Sequence, residues 1–283
     1  MIKFINAKLN LGLNIVRKRE DGYHDLETVF YPVGLYNGTP ENPEPFCDIL
    51  EITPGENTEF VFTGRKVDCP LEKNLVYKAW KIFKDNYPRL KDYKIHLEKH
   101  LPDGAGLGGG SADASGVLLM LNELSGYPFD KEELLEMALC LGADCPFFIL
   151  NRPCYAEGVG EILEQIDLDL SGWWCLLVKP YVSISTKEAF AGVRPCKPDK
   201  SLREIVGLSV KDWQGLMVND FEGSLFPGHP ILGDIKNKLN DLGAVYTAMS
   251  GSGSTVFGLF QNREKSLEAA ERFGDCYVSV CKL

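Results

Sequence analysis

Basic residues are in short supply in this chain, 30 Lys and Arg against 40 Asp and Glu, which gives a formal charge of −10. That balance excludes a broad surface for nucleic acid or anionic membrane and leaves room only for a local basic pocket. Histidine is rare, with four in 283 residues, and the nine cysteines contain no CxxC pair. Neither a zinc-ligand pattern nor a disulfide framework is therefore expected. No segment approaches the roughly 18 apolar residues of a spanning helix, and polar residues interrupt Met1–Glu20 throughout. A cytoplasmic location without a membrane partner is the expectation. Internal repeats and low-complexity runs are also absent. What remains is a globular chain, 45% hydrophobic and long enough for two domains of ordinary size.

Leu9, Leu11, Leu13 and Ile15 alternate with small or polar residues, which predicts a strand with Lys8, Asn10 and Asn14 on the face opposite the core. Asp21-Gly22 predicts a turn and Tyr23–Val33 a returning strand. Three prolines, two asparagines and a glycine make Tyr36–Cys47 a loop, before strands at Asp48–Thr53 and Glu59–Thr63. Helical spacing covers Lys73–Asn86, and alternation at Tyr93, Ile95 and Leu97 marks a strand. Two helices are expected over Ser111–Leu124 and Lys131–Leu141, the second opened by Asp130 and Glu133 in a capping-box pattern. Beyond Asn151 the expected order is a strand at Trp173–Lys179, short helices near Ser185–Ala191 and Val210–Phe221, and a helix at Ile231–Leu242. A strand pair at Ala244–Met249 and Thr255–Phe260, a helix at Arg263–Phe273 and a strand at Cys276–Cys281 complete it. Strands alternate with helices in both halves, so the class is α+β or α/β, with a boundary near Asn151–Gly160.

The segment PDGAGLGGGSADASG, Pro102–Gly116, joins a strand-like run to a helix-like one and carries Gly104, Gly106, Gly108, Gly109 and Gly110. Glycines there let backbone N–H groups approach a polyphosphate, and a helix start adds unpaired donors. A Walker loop is excluded because Gly110-Ser111-Ala112 lacks the Gly-Lys-Ser/Thr ending. A dinucleotide fingerprint would follow the first strand of a βαβ unit, and here roughly a hundred residues precede the loop. An ordinary turn needs only one or two positive-φ residues. Other candidates carry a plain alternative each. Cys145 is a nucleophile or a small buried hydrophobe, and Asp144 a catalytic or a helix-terminal carboxylate. Lys8 is a functional cation or a strand lysine with its head in water, while Tyr23 and Phe190 are ligand walls or core aromatics.

Pro102, Gly106, Leu107, Gly108 and Ser111 resemble the second motif of the GHMP kinases. AKLNLGLNIVRKREDGYHDLETVF (Ala7–Phe30), LGADCPFF (Leu141–Phe148) and MSGSGSTVFGLF (Met249–Phe260) extend the resemblance over nearly the whole chain, in the expected order. They resemble the branch of that family whose acceptor alcohol is 4-diphosphocytidyl-2-C-methyl-D-erythritol. The resemblance implies a two-domain α+β fold, with a ribosomal-protein-S5-like N-terminal domain over 1–155 and a ferredoxin-like C-terminal domain over 156–283. It places the substrate site between them. ATP is the implied donor, and Mg2+ is expected with its phosphates, with the metal ligands unknown and Asp113 and Asp144 the carboxylates at hand.

By the same resemblance Asp144 accepts the proton of the acceptor hydroxyl and Lys8 stands by the transferred phosphate. Pro102, Gly104, Gly106, Leu107, Gly108, Gly109, Gly110 and Ser111 hold ATP phosphates, and Asn74 and Lys99 flank the adenine. An N-cap for Asn74 and a solvated strand lysine for Lys99 are the plain alternatives. Tyr23, His24 and Phe190 hold a cytosine ring, with Asn10 and Thr186 as polar contacts and Gly251, Ser252 and Gly253 as a second turn on the substrate. Ala112 stands where many members carry a second hydroxyl, so Ser111 would act alone. A kinase of another small alcohol, or a nucleotide-binding protein without turnover, are the alternatives.

Overall fold

Among the residues described by the computed structural model, 1–34, 46–67 and 69–283, the hydrophobic periods resolve into twelve strands and nine α-helices. In chain order the first are β1 (Ile2–Ile5), β2 (Ala7–Lys18), β3 (His24–Val33), β4 (Asp48–Pro54), β5 (Glu59–Gly64), α1 (Leu75–Asn86) and β6 (Tyr93–Lys99). Next come α2 (Gly109–Leu124), α3 (Lys131–Leu141), α4 (Cys145–Leu150), β7 (Cys154–Glu157), β8 (Ile162–Gln165) and β9 (Trp174–Pro180). The last are α5 (Thr186–Ala191), α6 (Leu202–Val206), α7 (Asp220–Leu225), α8 (Pro230–Asp241), β10 (Tyr246–Met249), β11 (Val256–Phe260), α9 (Arg263–Ala270) and β12 (Cys276–Lys282). The loop expected at Tyr36–Cys47 falls, except for Phe46 and Cys47, outside the described residues.

The chain divides into two compact units. The first comprises Met1–Ala7, Gly34–Asp103 and Gly108–Arg152, the second Lys8–Val33, Gly104–Leu107 and Pro153–Leu283. A single change of domain after residue 155 was the expectation. Strand pairing explains the interleaving: β2 and β3 form one sheet with β7 and β8, in the order β2-β3-β7-β8, and so belong with the later chain.

The first unit is built on the sheet β1-β4-β6-β5. β5 and β6 run parallel because α1 returns the chain between them, whereas β1, β4 and β6 pair antiparallel. Leu50, Ile52, Ile95 and Leu97 alternate inward and are buried, as are Val76, Ala79 and Phe83 of α1 and Val117, Leu118 and Leu121 of α2. Gly116 brings α2 close to the sheet: a Cβ there would stand 2.7 Å from Ile5 Cδ1 and 3.2 Å from Leu50 Cδ2. Each such fully buried aliphatic side chain contributes about 1.5–3 kcal/mol.

In the second unit the sheet β10-β11-β9-β12 is antiparallel throughout. With α8 between β9 and β10 and α9 between β11 and β12, this is the ferredoxin-like βαββαβ arrangement that the resemblance implies. Its core joins Leu176, Val178, Leu232, Ile235, Leu239, Val256 and Phe260, and takes Leu13 and Ile15 from β2.

The helix expected over Val210–Phe221 does not form as one element. A short 3-10 turn at Val210–Asp212 ends before Gly215, whose φ of 84° breaks the helix, and α7 begins only at Asp220. Pattern reading also missed β1, α4, α6, β7 and β8, which span four to six residues each and are too short for a period to register.

Candidate active site

In the first unit, α2 starts with Gly108 as N-cap in the left-handed conformation (φ 71°), with no side-chain cap and no acidic residue in its first turn. The N–H groups of Gly109, Gly110 and Ser111 are therefore the donors that an α-helix cannot use internally, set at its positive end. Backbone donors without Cβ cover suit an anionic oxygen there. α4 starts at Cys145 with Asp144 as N-cap, and the Asp144 carboxylate makes no cap hydrogen bond to its own helix. Pro146 removes one of the N–H groups a cap would serve. Cys145 is buried, and burial pushes its thiol up to about 11, which favours the small buried hydrophobe over the nucleophile.

Lys99, at the end of β6, is only 7% exposed, which excludes the solvated strand lysine. Its ammonium donates to Asp48 and, at 2.8 Å, to Asp113 Oδ2 on α2. Asp48 Oδ1 also accepts from the backbone N–H groups of His100 (2.6 Å) and Leu101 (2.9 Å), fixing the chain as it leaves β6. Asp113 Oδ1 is buried without a hydrogen-bond partner, and burial pushes this carboxyl up to about 8, against the pull of Lys99 and with the push of Asp48. Asp113 thus faces Lys99, and among the described residues no three His, Cys, Asp or Glu side chains are placed to hold a metal ion. Asn74 is buried, and its side-chain oxygen accepts from Val76 N at 2.9 Å as the cap of α1. Pro102 is half-buried.

In the second unit the polar face expected on β2 is buried: Lys8 is 3% and Asn10 2% exposed. Lys8 Nζ donates to Asn10 Oδ1 at 2.5 Å and lies 5.1 Å from the centroid of the Phe30 ring. Asn10 Nδ2 donates to Thr28 Oγ1 at 3.0 Å. The Lys8 backbone N–H donates to Leu107 O at 2.9 Å, and the Leu107 side chain is buried. Gly106 (φ 73°) admits only glycine, since a Cβ would meet Ser250 O at 2.0 Å. Ser250 Oγ donates to Gly106 O (2.8 Å) and accepts from Asn10 N (3.2 Å), and Gly251 and Gly253 take positive φ in the same turn. Asn219 Nδ2 closes that turn, donating to Met249 O (2.7 Å) and Gly251 O (2.8 Å). Gly104 (φ 57°) is exposed, and Ser252 is half-buried.

His24, the first residue of β3, stacks on Phe190 with ring centroids 4.9 Å apart and planes inclined by 21°. Phe190 in turn meets Phe221 edge-on at 4.9 Å, so its ring is backed from the core side. Burial first, and then the charge of Lys18, hold the His24 imidazole below its ordinary pKa, which favours the neutral ring with one donor and one acceptor. Tyr23 is 65% exposed, which rules out core packing for it. Thr186 is exposed and stands four residues before Phe190 on α5, on the same helix face.

Three residues were missed by sequence reasoning. Asn219 caps α7 where the pattern predicts the interior of one helix, and nothing in the alternation of β3 marks Thr28. Glu27 is buried and accepts from Asn14 Nδ2, Tyr155 OH, Ser201 Oγ and Leu202 N, which ties β2, β3, β7 and the start of α6 together.

The GHMP kinases N terminal domain matches residues 74–152 and the GHMP kinases C terminal domain matches residues 202–279. A 4-diphosphocytidyl-2-C-methyl-D-erythritol kinase of Parabacteroides distasonis is 49% identical over 282 residues, covering 98% of each chain. One of Bacteroides fragilis is 48% identical over 286 residues, covering 100% of each. A crystal structure of 4-(cytidine 5'-diphospho)-2C-methyl-D-erythritol kinase superposes with a TM-score of 0.82 at 32% identity over 100% of each chain. With both domain models in place and near-half identity along its whole length, this chain belongs to the 4-diphosphocytidyl-2-C-methyl-D-erythritol kinases of the GHMP kinase family.

Proposed function

We propose that this chain transfers the γ-phosphoryl group of ATP to the 2-hydroxyl of 4-diphosphocytidyl-2-C-methyl-D-erythritol, giving the 2-phosphate and ADP, a step of the non-mevalonate isoprenoid pathway. The observation that carries the choice of acceptor is the His24–Phe190 stack, because a cytosine needs aromatic faces that homoserine or mevalonate do not. The base rests against this pair rather than between rings 4.9 Å apart, with exposed Tyr23 as its other wall and Thr186 as a polar contact. Neutral His24 offers the ring edge a donor and an acceptor.

Phosphoryl transfer asks the protein mainly for position and charge. The uncapped N–H groups of Gly109, Gly110 and Ser111 hold phosphate oxygens, with Gly104–Gly108 and the Gly251–Gly253 turn shaping the approach. Asp144 takes the proton of the acceptor hydroxyl as its oxygen bonds to the γ-phosphorus and the bridging oxygen leaves with ADP. Lys8 offsets negative charge on the transferred group. Asn74 and Lys99 border the adenine side, Lys99 through the wall it builds with Asp48 and Asp113. Magnesium, expected with ATP, would offset phosphate charge, and among the described residues no group of three His, Cys, Asp or Glu side chains would hold it. A cytoplasmic location is part of the same reading.

The test is ADP release with ATP and magnesium, comparing this acceptor with homoserine, mevalonate and no acceptor. Turnover with the cytidine compound alone is expected, and His24→Ala should raise its KM by about 5- to 150-fold, from roughly 1–3 kcal/mol of lost stacking. Turnover with another acceptor only would overturn the cytosine reading. ATP binding without turnover on any acceptor would favour the non-catalytic alternative.

A further inference from the structure

We propose that Thr28 is a positioning residue for phosphoryl transfer, setting the Lys8 ammonium through the side chain of Asn10. The proposal rests on the reading of Lys8 as the cation at the transferred phosphate.

The donor and acceptor inventory along this chain of groups has one solution. An ammonium only donates, so the Asn10 atom 2.5 Å from Lys8 Nζ is the amide oxygen. The Asn10 nitrogen then points the other way, to Thr28 Oγ1 at 3.0 Å, and an amide nitrogen only donates. Thr28 must therefore accept from Asn10, and its single hydroxyl proton goes to Gly12 O at 2.6 Å. Gly12 takes φ 72° in the middle of β2, a conformation glycine adopts without strain. Lys8, Asn10 and Thr28 are all buried, so water does not substitute for any of these partners at little cost.

Thr28 holds the amide in the direction that Lys8 requires. An acceptor is required opposite Asn10 Nδ2, and a hydroxyl whose proton is already committed presents nothing but lone pairs. Without it, Asn10 Nδ2 loses its acceptor and Gly12 O a donor, and the amide is free to turn away from the geometry that aims its oxygen at Lys8. The Asn10 backbone is held separately by Ser250 Oγ, which donates to Gly106 O, so the side chain can turn while the strand stays in place.

The experiment compares Thr28→Val, which keeps the shape and drops the hydroxyl, with Thr28→Ser, which keeps the hydroxyl, in steady-state kinetics against ATP and the cytidine acceptor. Thr28→Val should lower kcat roughly 10- to 100-fold, the effect of losing the Asn10 bond to the charged Lys8 ammonium, with KM for ATP unchanged. Thr28→Ser should recover most of that loss. In an Asn10→Ala background Thr28→Val should lower kcat no further, because Thr28 acts through Asn10. Full kcat in Thr28→Val beside an inactive Lys8→Ala overturns the proposal, and so does a Thr28→Val effect undiminished in the Asn10→Ala background. Full kcat in Lys8→Ala overturns instead the reading of Lys8. Should Thr28→Val fail to fold, Thr28→Ala carries the same comparison with a smaller side chain.

Discussion

α2 and α3, neighbours in sequence within the first unit, begin in opposite ways. α3 opens with the Asp130–Glu133 capping box and carries Glu132 and Glu133 in its first turn. α2 opens on Gly108 with no side-chain cap and no acid in its first turn. A capping side chain is worth about 0.5–2 kcal/mol, so α3's start is finished by its own residues and α2's is not. The missing cap lies where a phosphate would supply the same hydrogen bonds and charge. α4 shows a third arrangement, in which the N-cap Asp144 keeps its carboxylate off its own helix. On the proposed reading, the open starts of α2 and α4 serve the reaction, whereas the closed start of α3 serves the fold.

Replacing Asp144 sharpens this contrast most. Asp144→Asn should lower kcat by about 10²–10⁴, and since no cap hydrogen bond to α4 is lost, the helix start itself should not be weakened. Retained kcat would break the distinction between α4 and α3.

Asp113 probes the inner face of α2. Its carboxyl is pushed up to about 8, so between pH 4 and 8 the native state holds a proton that the unfolded chain has released. Native stability therefore falls as pH rises through that window, and the loss is complete above about 8. Asp113→Asn has no such proton to lose, so its melting temperature relative to the wild type should climb from pH 4 to 8. A constant offset across that range would show that Asp113 does not titrate there.

The smallest effect belongs to α3. Asp130→Ala should cost about 0.5–2 kcal/mol in denaturant unfolding and leave kcat and KM unchanged. A kinetic change would mean that a capped start also serves the reaction.

Much of this contrast was legible in the sequence. Asp130 and Glu133 announce their box by spacing alone, and the glycines before α2 exclude a side-chain cap as plainly as they invite a phosphate. Alternation gave β2 its inward leucines but could not tell that Lys8 and Asn10 are buried on the other face, because burial there comes from β3 and the Ser250 turn. The burial of Lys99 was not legible because its partners Asp48 and Asp113 lie 51 and 14 residues away in sequence. Asn219 and Glu27 follow the same rule, since each binds chain segments that meet only in the folded unit.

The central claim, that α2 leaves its start open for ATP phosphates, is tested most directly by calorimetric titration of Ser111→Glu with ATP beside its thermal melt. Ser111 is the third residue of the helix, where an acidic side chain contributes about 0.3–1 kcal/mol through the helix dipole. The melting temperature should hold or rise while ATP affinity falls about tenfold or more through like-charge repulsion. A raised melting temperature with unchanged ATP affinity would contradict the account and move the triphosphate elsewhere.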